Sequence, residues 1–260
     1  VAPRVAPFHL NLGNALAAAG LDDRAVAAME VAAELDRGNA IARYTLGLHH
    51  MRHRRRPEAL AALRQVIAID PGHERARFLV AGLSGDHADA APAAYVTELF
   101  DSYASRFEQH LVTVLDYQVP ERLVELVVGA GHPPRRTWRV LDLGCGSGLC
   151  GAAFRDHARH LVGSDLSPRM IDIARERGVY DELHVEDLTC TLRRAVAEVD
   201  LVVAADVFIY VGDLDAVFAA TAAALRPGGL LAFSTEPCEG EGFHLLPSCR
   251  YAHADAYVRT

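Results

Sequence analysis

Apolar and polar positions follow two different rhythms along the chain. Up to about residue 85 the apolar residues recur at helical spacing. This predicts helices over about 6–19, 22–36, 40–53 and 57–69, and a fifth over 73–83. From residue 139 onward, short unbroken apolar runs alternate with helical stretches. The runs at 139–143, 161–164, 183–185, 201–204 and 230–233 read as strands, with helices near 148–158, 168–177, 190–197 and 213–225 between them. Unbroken runs mean strands covered on both faces. Strand–helix alternation predicts an α/β fold with a Rossmann-like, doubly wound parallel sheet, whose ligands bind at the carboxyl ends of the strands. Residues 86–94 are small, polar and broken by proline, as in a linker.

The helical third repeats itself. Asn11-Leu12-Gly13 lies over Thr45-Leu46-Gly47 at an offset of 34, which also carries Ala25 onto Ala59, Val26 onto Leu60 and Asp36-Arg37 onto Asp70-Pro71. Gly20 falls on Arg54, a mismatch at a turn position. A 34-residue period with Leu-Gly early, Ala midway and Asp-Pro at the end resembles the tetratricopeptide repeat (TPR). Small residues let the two helices of a unit pack closely, and proline ends the second. Two and a half units are few, so residues 1–85 are expected to dock on the rest of the chain or to continue upstream. The basic run Met51-Arg-His-Arg-Arg-Arg56 reads as a solvated turn, with an acidic partner or RNA as the alternative. His49 and His53, spaced i, i+4, share a helix face, but the sequence offers no third ligand nearby, so no metal site is expected.

Composition narrows the picture. All 26 basic residues are arginine and 44 residues are alanine, the mark of a GC-rich, bacterial type of genome rather than of a function. A net charge of −8, most of it beyond residue 90, argues against a general nucleic-acid binder. Five cysteines without a C-x-x-C pair read as reduced thiols in the cytoplasm. No apolar run reaches the roughly 20 residues that span a bilayer.

The candidate chemistry sits at the first strand of the sheet. Leu141-Asp142-Leu143 runs into Gly144-Cys145-Gly146-Ser147-Gly148, where glycines allow a sharp turn and a close backbone approach to a ligand. Gly146-x-Gly148-x-x-Gly151 also satisfies the dinucleotide fingerprint. Two acids favour a different ligand. A carboxylate at Asp142, just before the glycines, would repel a pyrophosphate but suits an amino-acid ammonium. Asp165 ends the second strand and has two oxygens for two ribose hydroxyls. Glu186-Asp187 ends the third, where an adenine amino group can donate. Ammonium, ribose and adenine together point to S-adenosylmethionine (SAM).

Leu141-Asp-Leu-Gly-Cys-Gly-Ser-Gly148, Val162-Gly-Ser-Asp165, His184-Val-Glu-Asp-Leu188, Asp200-Leu-Val-Val-Ala-Ala-Asp206 and Leu225-Arg-Pro-Gly-Gly-Leu230 come in the order of the motifs of class I SAM-dependent methyltransferases, which residues 95–260 resemble. With the repeats and Leu99-Phe-Asp-Ser-Tyr-Ala-Ser-Arg-Phe107, the chain resembles a bacterial group of methyltransferases carrying TPR segments. The resemblance implies SAM as co-substrate. Gly144, Gly146 and Gly148 would face its methionine part, with Asp142 at the ammonium, Asp165 would hold the ribose, Asp187 and Leu188 would flank the adenine, and Cys145, Leu166 and Met170 would also contact the cofactor. Asp206 would stand nearest the methyl. Residues 95–130 would form a lid, with Tyr103 and Phe107 on one helix face over the cofactor, and 138–260 the core, without the two closing antiparallel strands usual in the family. Ser167-Pro168 reads as a helix cap and first turn, and Arg250-Tyr-Ala-His253 resembles a feature at the start of the last helix.

Methyl transfer from a sulfonium needs mainly positioning and exclusion of water. Candidates for a base are Asp206, Tyr210, His244 and His253. Asp206-Val-Phe-Ile is not the proline-rich tetrad of nucleobase N-methylation. The expected acceptor is a small molecule or a protein, and the repeats favour a protein contact. A non-catalytic SAM-binding interaction protein and an NAD(P)-binding oxidoreductase are the alternatives.

Overall fold

The computed structural model describes residues 5–104 and 116–259. They divide into two compact units, one of the described residues up to 88 with Leu245–Cys249, the other of the remaining described residues.

The first unit holds five helices: α1 (Ala6–Ala18), α2 (Asp22–Leu35), α3 (Ala40–Arg52), α4 (Arg56–Ile69) and α5 (Glu74–Ser84). Helix α1 packs on α2 and α3 on α4. The 34-residue offset is physical. A Cβ on Gly13 would come within 2.7 Å of Met29 Cγ, and one on Gly47 within 2.8 Å of Leu63 Cγ. Ala25 and Ala59, at the same offset, are fully buried. The amides of Leu21 and Arg55 each reach back five residues, to Leu16 and His50, at 2.9 Å. The turn positions match too: Gly20 has φ +73° and Arg54 φ +58°. The backbone thus imposes the left-handed conformation in both turns, although only one carries the residue suited to it.

The second unit is built on a parallel sheet of β1 (Trp138–Leu143), β2 (Ala158–Asp165), β3 (Glu182–Val185), β4 (Val199–Ala204) and β5 (Leu225–Phe233), in the order β3-β2-β1-β4-β5. Helices α8 (Leu149–Phe154), α9 (Pro168–Arg177), α10 (Leu188–Arg194) and α11 (Asp215–Ala224) connect the strands. The chain turns from one side of β1 to the other between β3 and β4, which makes β1 the switch point. Alternate residues of each strand feed two cores. Leu141 and Leu143 pack with Val202, Ala204 and Phe208, whereas Val140 packs with Leu161, Leu201 and Val203. Unbroken apolar strands follow from that double coverage.

Helices α6 (Ala93–Tyr103) and α7 (Val119–Gly129) precede the sheet. Leu123 and Val127 of α7 are buried in the Val140 core, so the second half of the expected lid is a structural layer of the sheet. Beyond β5 come β6 (Glu236–Cys238), β7 (Phe243–Leu245) and β8 (Tyr251–Ala254), a small sheet in the order β6-β8-β7. The sequence suggested a last helix starting near Arg250. Instead, Tyr251–Ala254 is a buried strand paired in parallel with β6, and helix α12 (Asp255–Val258) starts after it. Among the described residues no helix is long and apolar enough to cross a membrane.

The repeated turn gives an opposed pair of expectations. Arg54→Gly relieves a left-handed backbone and should stabilise the helical unit by about 1 kcal/mol. Gly47→Ala drives a methyl into Leu63 and should cost about 1–3 kcal/mol. Urea unfolding followed by far-ultraviolet circular dichroism measures both, and shifts of the same sign would contradict the packing described.

Candidate functional site

The glycine turn is held from its neighbour strand. In the β1–β2 register Leu143 lies beside Ser164. Two residues on, the amide of Cys145 donates to the Ser164 carbonyl at 2.9 Å, and the amide of Gly146 donates to Asp165 Oδ2 at 2.9 Å. Asp165 Oδ1 accepts from the Ser167 amide at 2.8 Å. One carboxylate therefore ties the turn to the start of α9. Burial pushes the Asp165 carboxyl above its ordinary range, while the Ser167 and Gly146 amides pull it back. On the far side of the turn, Arg177 Nε donates to the Ser147 carbonyl at 2.9 Å. Gly144 has φ +59°, and a Cβ there would strike Val207 at 2.6 Å, so the position admits only glycine.

Asp142 takes a place that sequence reasoning did not foresee. Strand alternation puts it on the same face as Val140, and it is 1% exposed. Its Oδ2 accepts from Tyr180 Oη at 2.7 Å. Burial drives its carboxyl up to about 7, opposed by the Tyr180 hydroxyl and raised further by Asp165. One oxygen of the carboxylate expected to meet an ammonium is thus engaged within the core, while Oδ1 is buried without a hydrogen-bond partner. Tyr180 also explains two glycines. A Cβ on Gly151 would fall 2.2 Å from its Oη, and one on Gly163 2.8 Å from its ring. The third glycine of the dinucleotide-like fingerprint makes room for this tyrosine. Gly163, a glycine inside a strand, was the available sequence signal for it.

Other expected residues gather at the strand ends. Asp206 follows β4 with φ +57°, a conformation aspartate tolerates better than most residues. Its amide donates to Ser234 Oγ at 2.7 Å, and that hydroxyl donates back to Asp206 Oδ1 at 2.7 Å. Tyr117, absent from the sequence reading, hydrogen-bonds Asp206; burial first, and then the Asp206 charge, push its hydroxyl pKa upward. Tyr210 lies in a short 3-10 turn, Phe208–Tyr210, with its ring edge-on to Phe100 of α6 at 5.5 Å. Burial raises its hydroxyl, Arg250 lowers it by charge and hydrogen bond, and Asp206 and Tyr103 raise it further. Asp206 and Tyr103 thus both lie within electrostatic reach of Tyr210. Phe107 lies outside the described residues.

Helix α6 is tied to the acidic strand end by one short hydrogen bond and one long one. Ser167 Oγ donates to Asp101 Oδ1 at 2.5 Å, and Thr97 Oγ1 donates to the Leu166 carbonyl at 3.4 Å. Ser167 also caps α9, accepting from the Met170 amide at 3.1 Å, with Pro168 in the first turn, as the sequence suggested. Met170 itself is wholly buried, so its side chain belongs to the core. Asp187 Oδ1 accepts from the Thr189 amide at 2.8 Å and from its hydroxyl at 2.5 Å, capping α10, with Leu188 half-buried behind it. Cys145 is buried and its thiol is held well above the ordinary value, which makes it a neutral packing group and not a nucleophile. His253 is buried, with Nε2 lying 2.9 Å from the Val211 carbonyl and 3.0 Å from that of Gly212. A nitrogen between two carbonyls is the protonated donor, so this atom fixes the loop and is unable to accept a proton. His244 is exposed.

A cavity of about 40 Å³ adjoins the turn, lined by Tyr117, Pro120, Gly146, Ser147, Leu149 and Ala205 among others. Ser147 Oγ is buried there without a hydrogen-bond partner.

The buried Asp142 has a thermodynamic signature. Its folded value of about 7 lies above the ordinary 3.8. Between the two, the unfolded chain has released this proton while the folded chain keeps it. Stability therefore falls as pH rises through that window and is level on either side. Asp142→Asn holds no such proton, so its stability relative to the natural chain should climb across the window by a few kcal/mol at most. Urea midpoints of both proteins across the pH series measure this, and parallel profiles would contradict it.

Residues 140–229 match a family model described as "Methyltransferase domain". A malonyl-[acyl-carrier protein] O-methyltransferase of Serratia marcescens is 32% identical over 121 residues, 46% of this chain and 45% of the relative. A ubiquinone biosynthesis O-methyltransferase of Xylella fastidiosa (strain 9a5c) is 34% identical over 101 residues, 37% of this chain and 41% of the relative. The matches thus span less than half the length of these curated relatives. Among solved structures, the SAM-bound magnesium protoporphyrin IX methyltransferase of Synechocystis PCC 6803 aligns with a TM-score of 0.48 at 21% identity, over 66% of this chain and 85% of that one. Residues 140–229 are thus similar in sequence to a methyltransferase domain, and they lie on a doubly wound, Rossmann-like parallel sheet.

Proposed function

We propose that the chain binds SAM across the glycine turn and transfers its methyl group to a small-molecule or protein acceptor. The observation that carries this reading is the Asp165 carboxylate at the end of β2. Each of its oxygens takes one backbone N–H, from Gly146 and from Ser167. Each keeps lone-pair capacity for a ribose hydroxyl. The residues fit the rest of the molecule as well. Ser147 Oγ, buried and unpartnered beside the cavity, is a ready partner for the polar end of the methionine part. Gly144, Gly146 and Gly148 let the backbone approach that part closely. Asp187 and Leu188 stand at the adenine end, with Asp187 Oδ1 already serving as a cap. Asp142 supports the turn from below through Tyr180 on Oδ2, and its Oδ1, buried without a hydrogen-bond partner, keeps the capacity to accept from an ammonium.

SAM supplies an activated methyl, so the work of the protein is alignment and exclusion of water. Tyr103 and Asp206 lie within electrostatic reach of Tyr210, where an acceptor would arrive. Asp206, bonded to Ser234 and Tyr117, is the group placed to take a proton from an acceptor hydroxyl. The malonyl-[acyl-carrier protein] and ubiquinone relatives are O-methyltransferases by name, which favours oxygen as the atom methylated. The five unpaired thiols suit the reducing cytoplasm. The 34-residue helical repeat, TPR-like in its spacing, is offered as the surface for a protein partner.

Calorimetry of the whole chain with SAM, its demethylated product and NAD tests the reading. SAM and the product should bind and NAD should not. Asp165→Ala should weaken SAM at least about tenfold, since hydrogen bonds to a charged group are each worth about 1.5–3 kcal/mol. Binding of NAD alone would overturn it.

A further inference from the structure

The helical unit brings together three side chains that the sequence keeps apart. His49 and His53 lie one turn apart in and just beyond the last turn of α3, with ring centroids 4.5 Å from each other. Asp22, the first residue of α2, reaches both. Its Oδ1 lies 3.2 Å from His53 Nε2 and 3.8 Å from His49 Nε2. The three ligand atoms all fall within 4.8 Å of one another. Three ligands held about 2.0–2.2 Å from one tetrahedral zinc lie roughly 3.4 Å apart, so side-chain shifts of about an ångström close the site.

We propose that Asp22, His49 and His53 form a binding site for a divalent cation of the zinc type, with three protein ligands and one open position. The chemistry suits that choice. Two imidazoles and one carboxylate select zinc and its late first-row neighbours over magnesium or calcium, which prefer all-oxygen shells. His49 is buried, whereas the His53 and Asp22 side chains keep 31% and 36% of their surface. An ion therefore has a rigid inner ligand and an entry path from solvent. The Asp22–His53 contact alone would be a simple ion pair. The second imidazole, on the same carboxylate oxygen and in a tilted arrangement with the first, gives the cluster the three-sided form of a ligand set. Arg52, Arg54, Arg55 and Arg56 follow on the same stretch of chain and oppose cation binding, which sets the affinity below that of closed structural zinc sites. A bound ion would clamp the start of α2 to the end of α3, joining one repeat to the next.

The test uses the whole chain stripped of metal with a chelator. Zinc chloride titrated in by calorimetry should bind one ion per chain. Cobalt(II) should give the visible absorption of a tetrahedral nitrogen–oxygen site. Asp22→Asn, which keeps the shape of the side chain, and His53→Ala, at a partly exposed position, should each weaken zinc at least about tenfold and remove the cobalt bands, with far-ultraviolet circular dichroism unchanged. Absence of zinc binding, or binding of equal strength in both variants, would overturn the proposal. Neither readout depends on SAM, so the result is independent of the methyltransferase reading.

Discussion

The second unit depends on a single carboxylate at a strand end. Parallel strands β1 and β2 finish side by side, and the chain must leave β1 through a glycine turn whose amides have no strand partner. Asp165 accepts one of those amides and the amide that opens the next helix. An acid here costs desolvation, visible in its raised pKa, and the amides offset part of that cost. The same geometry leaves two oxygens facing the end of the sheet where doubly wound folds bind ligands. Support of the turn and recognition of a ribose are therefore two uses of one group.

A second acid, Asp142, sets the turn from beneath. Its position follows from strand alternation: the residue two after Val140 must face the same core. A buried carboxyl needs a partner, and Tyr180 provides it. Room for the tyrosine requires the missing side chains of Gly151 and Gly163. Two glycines, a tyrosine and an aspartate thus form one packing unit. That unit accounts for a motif that otherwise resembles a dinucleotide fingerprint.

Much of this was legible in the chain. The five strands follow from unbroken apolar runs and the repeat from its 34-residue offset, because both patterns are local. The turn at Arg54 was legible only as a mismatch; its left-handed backbone shows that the repeat geometry outweighs the residue. What stayed hidden was long-range. Tyr180 meets Asp142 across 38 positions, and Tyr117 meets Asp206 across a still larger interval. At Tyr251–Ala254 the resemblance to a family motif pointed to the start of a helix, whereas pairing with β6 makes a strand there. Asp22 completes a cluster with His49 and His53 only once α2 and α3 are packed.

A crystal structure of the whole chain with the demethylated product of SAM tests the central claim most directly. The account predicts the ribose hydroxyls on the two oxygens of Asp165, the amino-acid end at the glycine turn beside Ser147, and Asp142 still bonded to Tyr180. A ribose held elsewhere, with Asp165 touching only backbone, would contradict it.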